Sequence, residues 1–286
     1  MTQYFSHCLL CNKTDFTPVY PNTHPDLVQC IGCKFVFFKR IPTTEELINN
    51  YNNYPRHDAI SPLTIKRYHE LLGQFEKYRK TNNVIDVGCG NGHLLAEAKK
   101  LNWNSYGTEF TDNAVEICQK KGISMQQGVL NLSKYDPSSF DCLFFIEVIE
   151  HINNPAEELE KFRTLLRNGG VLYITTPNFS SFSSKYLKDN WTCVEYPEHL
   201  SYYTPSTLDK TLTKAGFKKE SLITSGLSIT SFKPKAKIQG SISENNESVR
   251  QMTETNFIFS TVKKAINFSL NLTNMGDTIK AVYTKN

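Results

Sequence analysis

The chain of 286 residues can hold one large or two small domains, and its 39% apolar and 21% charged residues are typical of a globular rather than a disordered protein. The formal charge of +4, from 32 basic and 28 acidic residues, is too small to require a nucleic-acid partner. Apolar runs such as residues 142–146 are too short to span a membrane, and the first residues form no basic-then-apolar leader, so we expect a cytoplasmic protein without a membrane partner.

The first predicted element is a zinc-binding module in residues 1–42. Two C-x2-C pairs, Cys8 with Cys11 and Cys30 with Cys33, are separated by eighteen residues. Two intervening residues let the backbone turn so that both thiolates of a pair meet one ion, and two pairs complete a tetrahedral zinc site. Because four protein ligands leave no open coordination position, the predicted zinc is structural rather than catalytic.

The fold of this module is predicted to be a β-hairpin. In residues 27–38, LVQCIGCKFVFF, Gly32 permits a tight turn between two strands, and Phe35, Phe37 and Phe38 can cover a small core. The four cysteines outside the module have no paired spacing and are predicted to be ordinary thiols, namely Cys89, Cys118, Cys142 and Cys193.

Residues 43–80 are predicted to connect the module to a larger domain, and a helical pattern runs from residue 64 to residue 80. Strands and helices alternate in the domain that we assign to residues 81–286. The predicted strands are 84–88, 104–110, 140–146 and 170–177, and the predicted helices are 93–101, 114–122 and 156–170. Such alternation predicts the α/β class, with a mainly parallel sheet and helices on both faces.

The last part of the chain is predicted to contain an exposed excursion, a helix and a closing strand. Residues 232–256 are polar and contain few large aliphatic side chains, which indicates exposure. Ile258, Val262 and Ile266 then follow at helical spacing and form an apolar stripe, which usually packs against a core. Residues 277–284 alternate as a strand.

A glycine-rich loop follows the first predicted strand of the large domain. Gly88, Gly90 and Gly92 permit a tight turn and the close approach of a ligand, in a spacing that departs from the dinucleotide fingerprint G-x-G-x-x-G. Asp86 would repel a pyrophosphate and attract a cation, and Glu109, at the end of the next strand, can accept both hydroxyls of a ribose. S-adenosylmethionine, with its ammonium and sulfonium groups, fits these acids better than a nicotinamide cofactor does.

In these residues the sequence resembles the class I S-adenosylmethionine-dependent methyltransferases, whose pattern D-x-G-x-G-x-G is matched from Asp86 to Gly92. The resemblance covers about residues 80–230 and the final strand. It implies a Rossmann-like seven-stranded methyltransferase sheet, to which the small N-terminal zinc-binding β-hairpin module is attached. It also implies that Glu109 holds the ribose and Phe110 lies against the adenine. The cofactor-binding residues so implied are Asp86, Gly88, Cys89, Gly90, Gly92, Glu109, Phe110, Val129 and Leu130.

Two clusters of acids and histidines are candidates for the chemistry on the methyl acceptor. The first comprises Glu147, Glu150 and His151 after the fourth strand, whose spacing predicts one shared helical face. It resembles the segment that holds a divalent cation in quinone-ring O-methyltransferases and small-RNA 2′-O-methyltransferases, which implies a metal site. The alternative is that one of these residues contacts the methionine part of the cofactor or caps the next helix.

The second cluster comprises Tyr196, Glu198 and His199. A Glu–His pair is costly to bury unpaired and so has no obvious packing role, and histidine suits proton removal near neutral pH. The loop resembles that of nucleotide-sugar C-methyltransferases, which also carry an N-terminal four-cysteine zinc module. The resemblance implies catalytic roles for these three residues, with His199 as general base held by Glu198. It does not extend to the further C-terminal domain of those enzymes, so sugar O-methylation is equally open.

We therefore expect S-adenosylmethionine-dependent methyl transfer to a small molecule, foremost a sugar or nucleotide-linked sugar, with a histidine base. The alternative is a metal-assisted O-methyltransferase of a quinone-type ring or of RNA, in which His151 belongs to the metal site. A zinc-containing RNA base methyltransferase is a second alternative. It is disfavoured by the few basic residues in the first forty and by FIEV at residues 145–148, where such enzymes have an Asn/Asp-Pro-Pro-aromatic motif. The acid and glycines of the loop disfavour a non-enzymatic scaffold.

Overall fold

The computed structural model describes residues 2–43, 45–47, 50, 60–227 and 257–286. In these ranges the strands are β1 (Gln3–Tyr4), β2 (Phe16–Tyr20), β3 (His24–Cys30), β4 (Val36–Phe38), β5 (Arg40–Ile41), β6 (Asn83–Val87), β7 (Asn104–Glu109), β8 (Ser124–Gln127), β9 (Phe140–Ile146), β10 (Leu166–Pro177), β11 (Ser201–Tyr202), β12 (Phe217–Ser225) and β13 (Thr278–Lys285). The helices are α1 (Pro62–Phe75), α2 (His93–Lys100), α3 (Asp112–Lys120), α4 (Pro155–Leu165), α5 (Phe182–Leu187), α6 (Pro205–Lys214) and α7 (Phe257–Leu272).

The central sheet has seven strands in the order β12-β13-β10-β9-β6-β7-β8. Strands β8, β7, β6, β9 and β10 are parallel neighbours, and β13 runs antiparallel to both β10 and β12. The chain moves outward from β6 first through β7 and β8, and then in the other direction through β9 and β10. Ligands of open α/β sheets bind where the strand order reverses, which is at the carboxyl end of β6. The predicted Rossmann-like seven-stranded sheet is confirmed.

Side chains that alternate along the central strands fill a core on each face of the sheet. On β9, Cys142 and Phe144 are buried in one cluster with side chains of α1, α2 and α3. Leu143 and Phe145 are buried on the other face with side chains of α4 and α6. A strand covered on both faces reads as a continuous apolar run, which is why β9 could be located from the sequence.

The four-cysteine module forms a sheet of order β11-β4-β3-β2, and β1 pairs with β5. The predicted hairpin is confirmed, because β3 and β4 pair antiparallel with Leu27 opposite Phe38. The reason predicted for its glycine is wrong: the residue with positive φ in the turn is Lys34, at 67°. Gly32 instead leaves room for Lys13, whose Cδ would lie 2.5 Å from an added Cβ.

The module is packed against the larger domain rather than standing apart from it. Its sheet is completed by β11, which follows the predicted catalytic loop, with Ser201 opposite Phe37. Phe35 and Phe37 are fully buried, as predicted for the core of the module, and the ring of Phe35 lies 5.1 Å from that of Tyr203. The chain segments that we assigned to two units thus share one sheet and one core.

The helix predicted for residues 64–80 is α1, which begins and ends earlier. Its first turn is stabilised by Ser61, whose side-chain oxygen accepts a hydrogen bond from the N–H of Thr64. The helix continues to Phe75, and its buried side chains include Leu72.

The helix predicted for residues 156–170 ends at Leu165, because β10 begins at the next residue. Within this first part of β10, Nε of Arg167 donates to the buried carboxylate of Asp141 at 2.6 Å. Arg167 and Asp141 therefore form an ion pair between β10 and β9, at a position where we expected the last turn of the helix.

The predicted excursion at residues 232–256 lies outside the described residues. The helix and strand predicted after it are confirmed as α7 and β13. In the predicted apolar stripe, Ile266 is 47% exposed, so this residue does not pack into a core as expected. Among the described residues, no helix has the length and apolar character that crossing a bilayer requires.

Candidate cofactor and acceptor sites

The glycine loop lies at the carboxyl end of β6 and uses conformations that favour glycine. Gly88, Gly90 and Gly92 have φ of 78°, 54° and 67°. The N–H groups of Gly88 and Cys89 both donate to the carbonyl of Thr108 at 3.0 Å, which ties the loop to β7. These bonds fix the loop as a cradle at the end of β6.

Glu109 shapes this cradle from the end of β7. Its Oε2 accepts a hydrogen bond from the N–H of Gly90 at 3.0 Å, and its Oε1 accepts one from the N–H of Phe110 at 2.8 Å. Each carboxylate oxygen can accept more than one bond, so capacity for ribose hydroxyls remains. The ring of Phe110 is 50% exposed and Val129 is 62% exposed, whereas Leu130 is buried. Phe110 and Val129 thus offer exposed apolar surface that suits an adenine, and Leu130 belongs to the core.

Asp86 lies buried below the loop. Burial, and next the charge of Glu109, raise the pKa of Asp86 to about 7. A carboxylate that is costly to ionise in this position is stabilised by a cationic ligand. The ammonium group of S-adenosylmethionine therefore fits the acid, and the observed donors and surfaces fit the rest of this cofactor.

A second group of side chains adjoins the loop. An added Cβ on Gly88 would lie 2.7 Å from the side chain of Val148, so the segment after β9 packs directly on the glycine loop. In this segment and the loop before β11, ligand atoms of Glu150, His151 and His199 lie within 4.8 Å of one another. The structure thus brings together residues of the two clusters that were predicted as alternative sites for the chemistry on the acceptor.

The two imidazoles of this acid–histidine cluster are held in the same way. Nδ1 of His151 lies 2.6 Å from the carbonyl of Glu198, and Nδ1 of His199 lies 2.8 Å from the carbonyl of Cys193. Because a carbonyl only accepts, both Nδ1 atoms carry protons and both Nε2 atoms keep a lone pair when the rings are neutral. Burial, and next the proximity of His199, lower the pKa of His151 to about 4, so this ring is neutral at pH 7.

Glu150 contributes a buried oxygen to the cluster. Its Oε2 accepts from the hydroxyl of Thr176 at 3.0 Å, whereas Oε1 has no hydrogen-bond partner in the described part of the chain and lies 4.0 Å from Nε2 of His151. Burial, and next the charge of Glu147, raise the pKa of Glu150 well above its usual range. An orphaned carboxylate oxygen beside two imidazole lone pairs fits a divalent cation, because imidazoles that bind metals commonly donate their other N–H to a carbonyl.

Glu147 does not share a helical face with the two residues that follow it in the predicted cluster. Residues 149–151 form a short 3-10 turn, and Glu147 has a left-handed backbone with φ of 53°. Its Oε1 accepts from the hydroxyl of Thr175 at 2.7 Å. The prediction of one shared face is therefore wrong, because the chain turns sharply between β9 and this turn.

The loop of the second predicted cluster contributes differently from each residue. Glu198 supplies its carbonyl to His151, and Cys193, rather than the Glu198 carboxylate, accepts from Nδ1 of His199. The ring of Tyr196 lies 5.1 Å from that of Phe38 in the module. The contribution of Cys193 could not be predicted from the sequence, because it is made by a backbone carbonyl.

The four cysteines of the module converge as predicted. Their Sγ atoms lie within 4.8 Å of one another, and the pairs Cys8 with Cys33 and Cys11 with Cys30 are each 3.5 Å apart. A disulfide would require about 2.05 Å, whereas Zn–S bonds of about 2.3 Å in a tetrahedron place the sulfurs about 3.8 Å apart. The donor set and its spacing fit zinc.

Residues 57–222, more than half of the chain, match the family model described as a methyltransferase domain. The chain belongs to this methyltransferase family. Its sheet and glycine loop are those of the class I S-adenosylmethionine-dependent branch that the sequence resembles.

Curated relatives of this methyltransferase domain match part of the chain. The ubiquinone biosynthesis O-methyltransferase of Albidiferax ferrireducens is 30% identical over 105 residues, which are 34% of this chain and 42% of the relative. The protein of the same name from Cupriavidus pinatubonensis is 27% identical over 133 residues, 43% of this chain and 50% of the relative. The chain thus spans about half the length of the curated relatives it matches.

Solved structures share the fold of this methyltransferase domain. A SAM-dependent methyltransferase from Archaeoglobus fulgidus superposes with a TM-score of 0.53 at 18% identity, over 85% of this chain and 100% of that one. Phosphoethanolamine N-methyltransferase 2 from Haemonchus contortus, solved with S-adenosyl-L-methionine, gives 0.54 at 16% identity, over 86% of this chain and 62% of that one.

Proposed function

We propose that the protein is an S-adenosylmethionine-dependent O-methyltransferase that acts on a hydroxyl of a small molecule, with a ring hydroxyl of a quinol or catechol as the preferred acceptor. The observation that carries the proposal is the convergence of Glu150, His151 and His199 beside the glycine loop. The names of the curated relatives support a quinone-type ring.

The residues of the cofactor site bind and orient the methyl donor. Gly88 and Gly90 let the backbone approach it, Asp86 faces its ammonium group, and Glu109 accepts from its ribose. The bound cofactor would supply a methyl group on a sulfonium: the acceptor oxygen bonds to the methyl carbon as the carbon–sulfur bond breaks and the neutral thioether leaves, without a covalent enzyme intermediate.

The acid–histidine cluster acts on the acceptor. Glu150, His151 and His199 would hold a divalent cation, which would lower the pKa of a neighbouring hydroxyl, so that its proton passes to solvent and the nucleophilic oxyanion is favoured. The carbonyls of Glu198 and Cys193 hold Nδ1 of the two rings, which leaves the lone pair of each neutral ring on Nε2. Positioning the acceptor oxygen against the sulfonium is the main task left to the protein.

The experiment measures methyl transfer to a catechol acid by enzyme freed of metal, with Mg²⁺ or Mn²⁺ then restored. Activity should vanish on chelation and return with the added ion while zinc stays in the module. Glu150→Gln should lower turnover more than the matched change Glu147→Gln, because Glu147 is bonded to Thr175 outside the converging set. Full activity of the metal-free enzyme would contradict the metal-assisted assignment.

A second candidate acceptor is a sugar or nucleotide-linked sugar, with His199 as general base and no divalent cation. It is supported by the contact between the four-cysteine module and the Tyr196 loop, the two features that resemble nucleotide-sugar C-methyltransferases. A panel of nucleotide sugars, assayed beside catechols and structured RNA, separates the candidates. Transfer to a nucleotide sugar that persists in EDTA would select this second function.

A further inference from the structure

Strand β4 of the module is hydrogen-bonded to the segment that carries His199. The N–H of Phe38 donates to the carbonyl of Leu200 at 2.9 Å. The next two residues, Ser201 and Tyr202, form β11 and pair antiparallel with β4. The loop that contains Tyr196, Glu198 and His199 is called the histidine loop below. Its last residues thus form an added strand of the four-cysteine module.

Leu200 connects this strand pair to the acid–histidine cluster. Its N–H donates to the carbonyl of Glu150 at 2.7 Å, so one residue bonds to the module on one side and to the cluster on the other. The residue two positions earlier, Glu198, orients His151 through its carbonyl. Displacement of Leu200 would therefore move a backbone segment that touches both histidines.

Side chains reinforce the backbone contact at the same place. Phe38 is 3% exposed, and its ring lies 5.1 Å from that of Tyr196 and 6.1 Å from that of Tyr202. The guanidinium of Arg40 lies over the ring of Tyr196, 4.9 Å from its centroid. The hydroxyl of Tyr202 in turn lies within hydrogen-bond distance of the carbonyl of Cys193, which also accepts from His199.

We infer that the four-cysteine module is a positioning element of the active site, and that Phe38 is the positioning residue through which it aligns His151 and His199. The inference rests on the proposed function, in which these imidazoles act on the acceptor. It assigns the module a role other than contact with the substrate: strand β4 fixes the loop whose carbonyls set the orientation of both rings. Misalignment of about 1 Å can cost about a hundredfold in rate, so the effect is large enough to measure.

The test compares Phe38→Ala with Phe16→Ala in the 286-residue chain. Phe16 lies in β2, at the opposite edge of the module sheet from β11, and packs edge-on against Phe37 at 5.5 Å. Both variants remove one phenylalanine ring from the module, but only Phe38 contacts the histidine loop. Each is assayed for zinc content, cofactor affinity, turnover and the Nδ1–H proton resonances of the histidine rings in ¹⁵N-labelled protein.

We expect Phe38→Ala to lower kcat by about tenfold to a hundredfold while cofactor affinity changes by less than about twofold, since the glycine loop is held by its bonds to Thr108 and Glu109. The Nδ1–H resonances of His151 and His199 should broaden or disappear. Phe16→Ala should retain both resonances and most of the turnover. Phe38→Leu, which keeps apolar volume, should restore activity toward that of the parent chain and provides a folded variant if Phe38→Ala does not fold.

Retention of both Nδ1–H resonances in Phe38→Ala would overturn the inference, as would equal losses of turnover in Phe38→Ala and Phe16→Ala. Loss of the resonances without loss of turnover has a different meaning. It would support the positioning of the rings by Phe38 and contradict the proposed function, because rings that act on the acceptor must be aligned. The resonance measurement therefore separates failure of the inference from failure of the function on which it rests.

Discussion

Nδ1 of His151 donates to the backbone carbonyl of Glu198 at 2.6 Å, across 47 residues of sequence. The bond joins the segment after β9 to the loop before β11, and it brings His151 and His199 into ring contact at 4.8 Å between centroids. Two motifs that look like alternative catalytic centres in the sequence are therefore parts of one cluster.

Glu109→Ala should weaken cofactor binding. The variant loses the carboxylate that accepts from Gly90 and that is placed to accept from a ribose, so we expect a loss of about 1–3 kcal/mol. Gly90→Val should block the site outright, because Gly90 has a positive φ and lies in the cradle. Calorimetry with S-adenosylhomocysteine measures both. Glu116→Ala, which removes an exposed carboxylate from the next helix, is the control. Unchanged affinity in Glu109→Ala and Gly90→Val would contradict the assignment of the cofactor-binding site.

Cofactor affinity should rise with pH between 6 and 7. The pKa of Asp86 is raised to about 7, and a cationic ligand favours the ionised form, so binding releases a proton at low pH and weakens as pH falls. The change in the ionised fraction of Asp86 predicts about fivefold tighter binding at pH 7 than at pH 6, a range in which the α-ammonium group of the cofactor stays charged. The pKa of Tyr68 nearby is raised from an already high value, so Tyr68 stays neutral over this range. Asp86→Asn should bind weakly at both pH values, and a slope that persists in this variant would assign the proton elsewhere.

Asp141 should be a major determinant of stability. Its carboxylate is fully buried and accepts from the N–H groups of Lys80, Thr81 and Asn82 and from Nε of Arg167. Burial opposes its ionisation, but these bonds outweigh burial and lower the pKa of Asp141. Asp141→Ala leaves Arg167 and three donors unpaired, and should cost about 3–5 kcal/mol of unfolding free energy.

Urea denaturation measures that loss, and its pH dependence has a defined sign. A carboxyl with a lowered pKa in the folded state stabilises the protein above its unfolded pKa of about 3.9, and this contribution is lost as pH falls through the folded value. The parent chain should therefore lose stability below about pH 4 by more than Asp141→Ala does. Asp136→Asn, at an exposed position of the preceding turn, should change stability by no more than about 0.5 kcal/mol.

Much of the sheet could be predicted from the sequence because its strands are covered on both faces. The apolar run of β9 and the glycine-rich loop after β6 are local sequence signals, and the structure contains both the strand and the loop that they predict. The end of α4 could not be predicted, because the residues that follow are drawn into β10, where Arg167 meets Asp141 from another strand. That ion pair is a long-range contact, which local helical propensity does not contain.

The site was predictable as a set of residues but not as a geometry. Glu150, His151 and His199 were each identified from their chemistry, yet their convergence depends on the bonds of Leu200 to the module and of His151 to Glu198. Every residue type has a backbone carbonyl, so the contact of the Cys193 carbonyl with His199 cannot be predicted from residue type. The left-handed conformation of Glu147 likewise reflects a sharp turn that its own side chain does not favour.

The four-cysteine module should hold one zinc ion per chain, which elemental analysis measures. Burial raises the pKa of Cys8 to about 11, so a bound cation favours its thiolate. At Cys30 burial is outweighed by hydrogen bonds, which lower the pKa to about 7. Cys30→Ser should lose the metal and make the N-terminal segment the first site of proteolysis, while the central sheet survives. Cys142→Ser, in β9, should keep the zinc. Full zinc content in Cys30→Ser, or a protease-resistant N-terminal segment after chelation, would contradict the assignment of a zinc site that stabilises the module.

The last prediction concerns the two histidines of the cluster. His151→Asn and His199→Asn should each lower kcat by about 10² to 10⁴ with little effect on cofactor affinity, because neither ring lies in the cofactor cradle. Glu198→Gln should keep most of the activity, because its carbonyl, which orients His151, is unchanged. Steady-state kinetics with each variant, at saturating cofactor, give these values.

The response to added metal separates the two roles that His199 can have. If His199 is a ligand, both histidine variants should bind Mn²⁺ about 10 to 100 times more weakly, and excess Mn²⁺ should recover part of the turnover of each. If His199 is the general base alone, excess metal should leave His199→Asn inactive, whereas added imidazole should restore part of its turnover. Near-parental kcat in His199→Asn, together with an inactive His151→Asn, would show that His199 takes no part in the reaction. Of the three residues of the acid–histidine cluster, only Glu150 and His151 would then keep the proposed role.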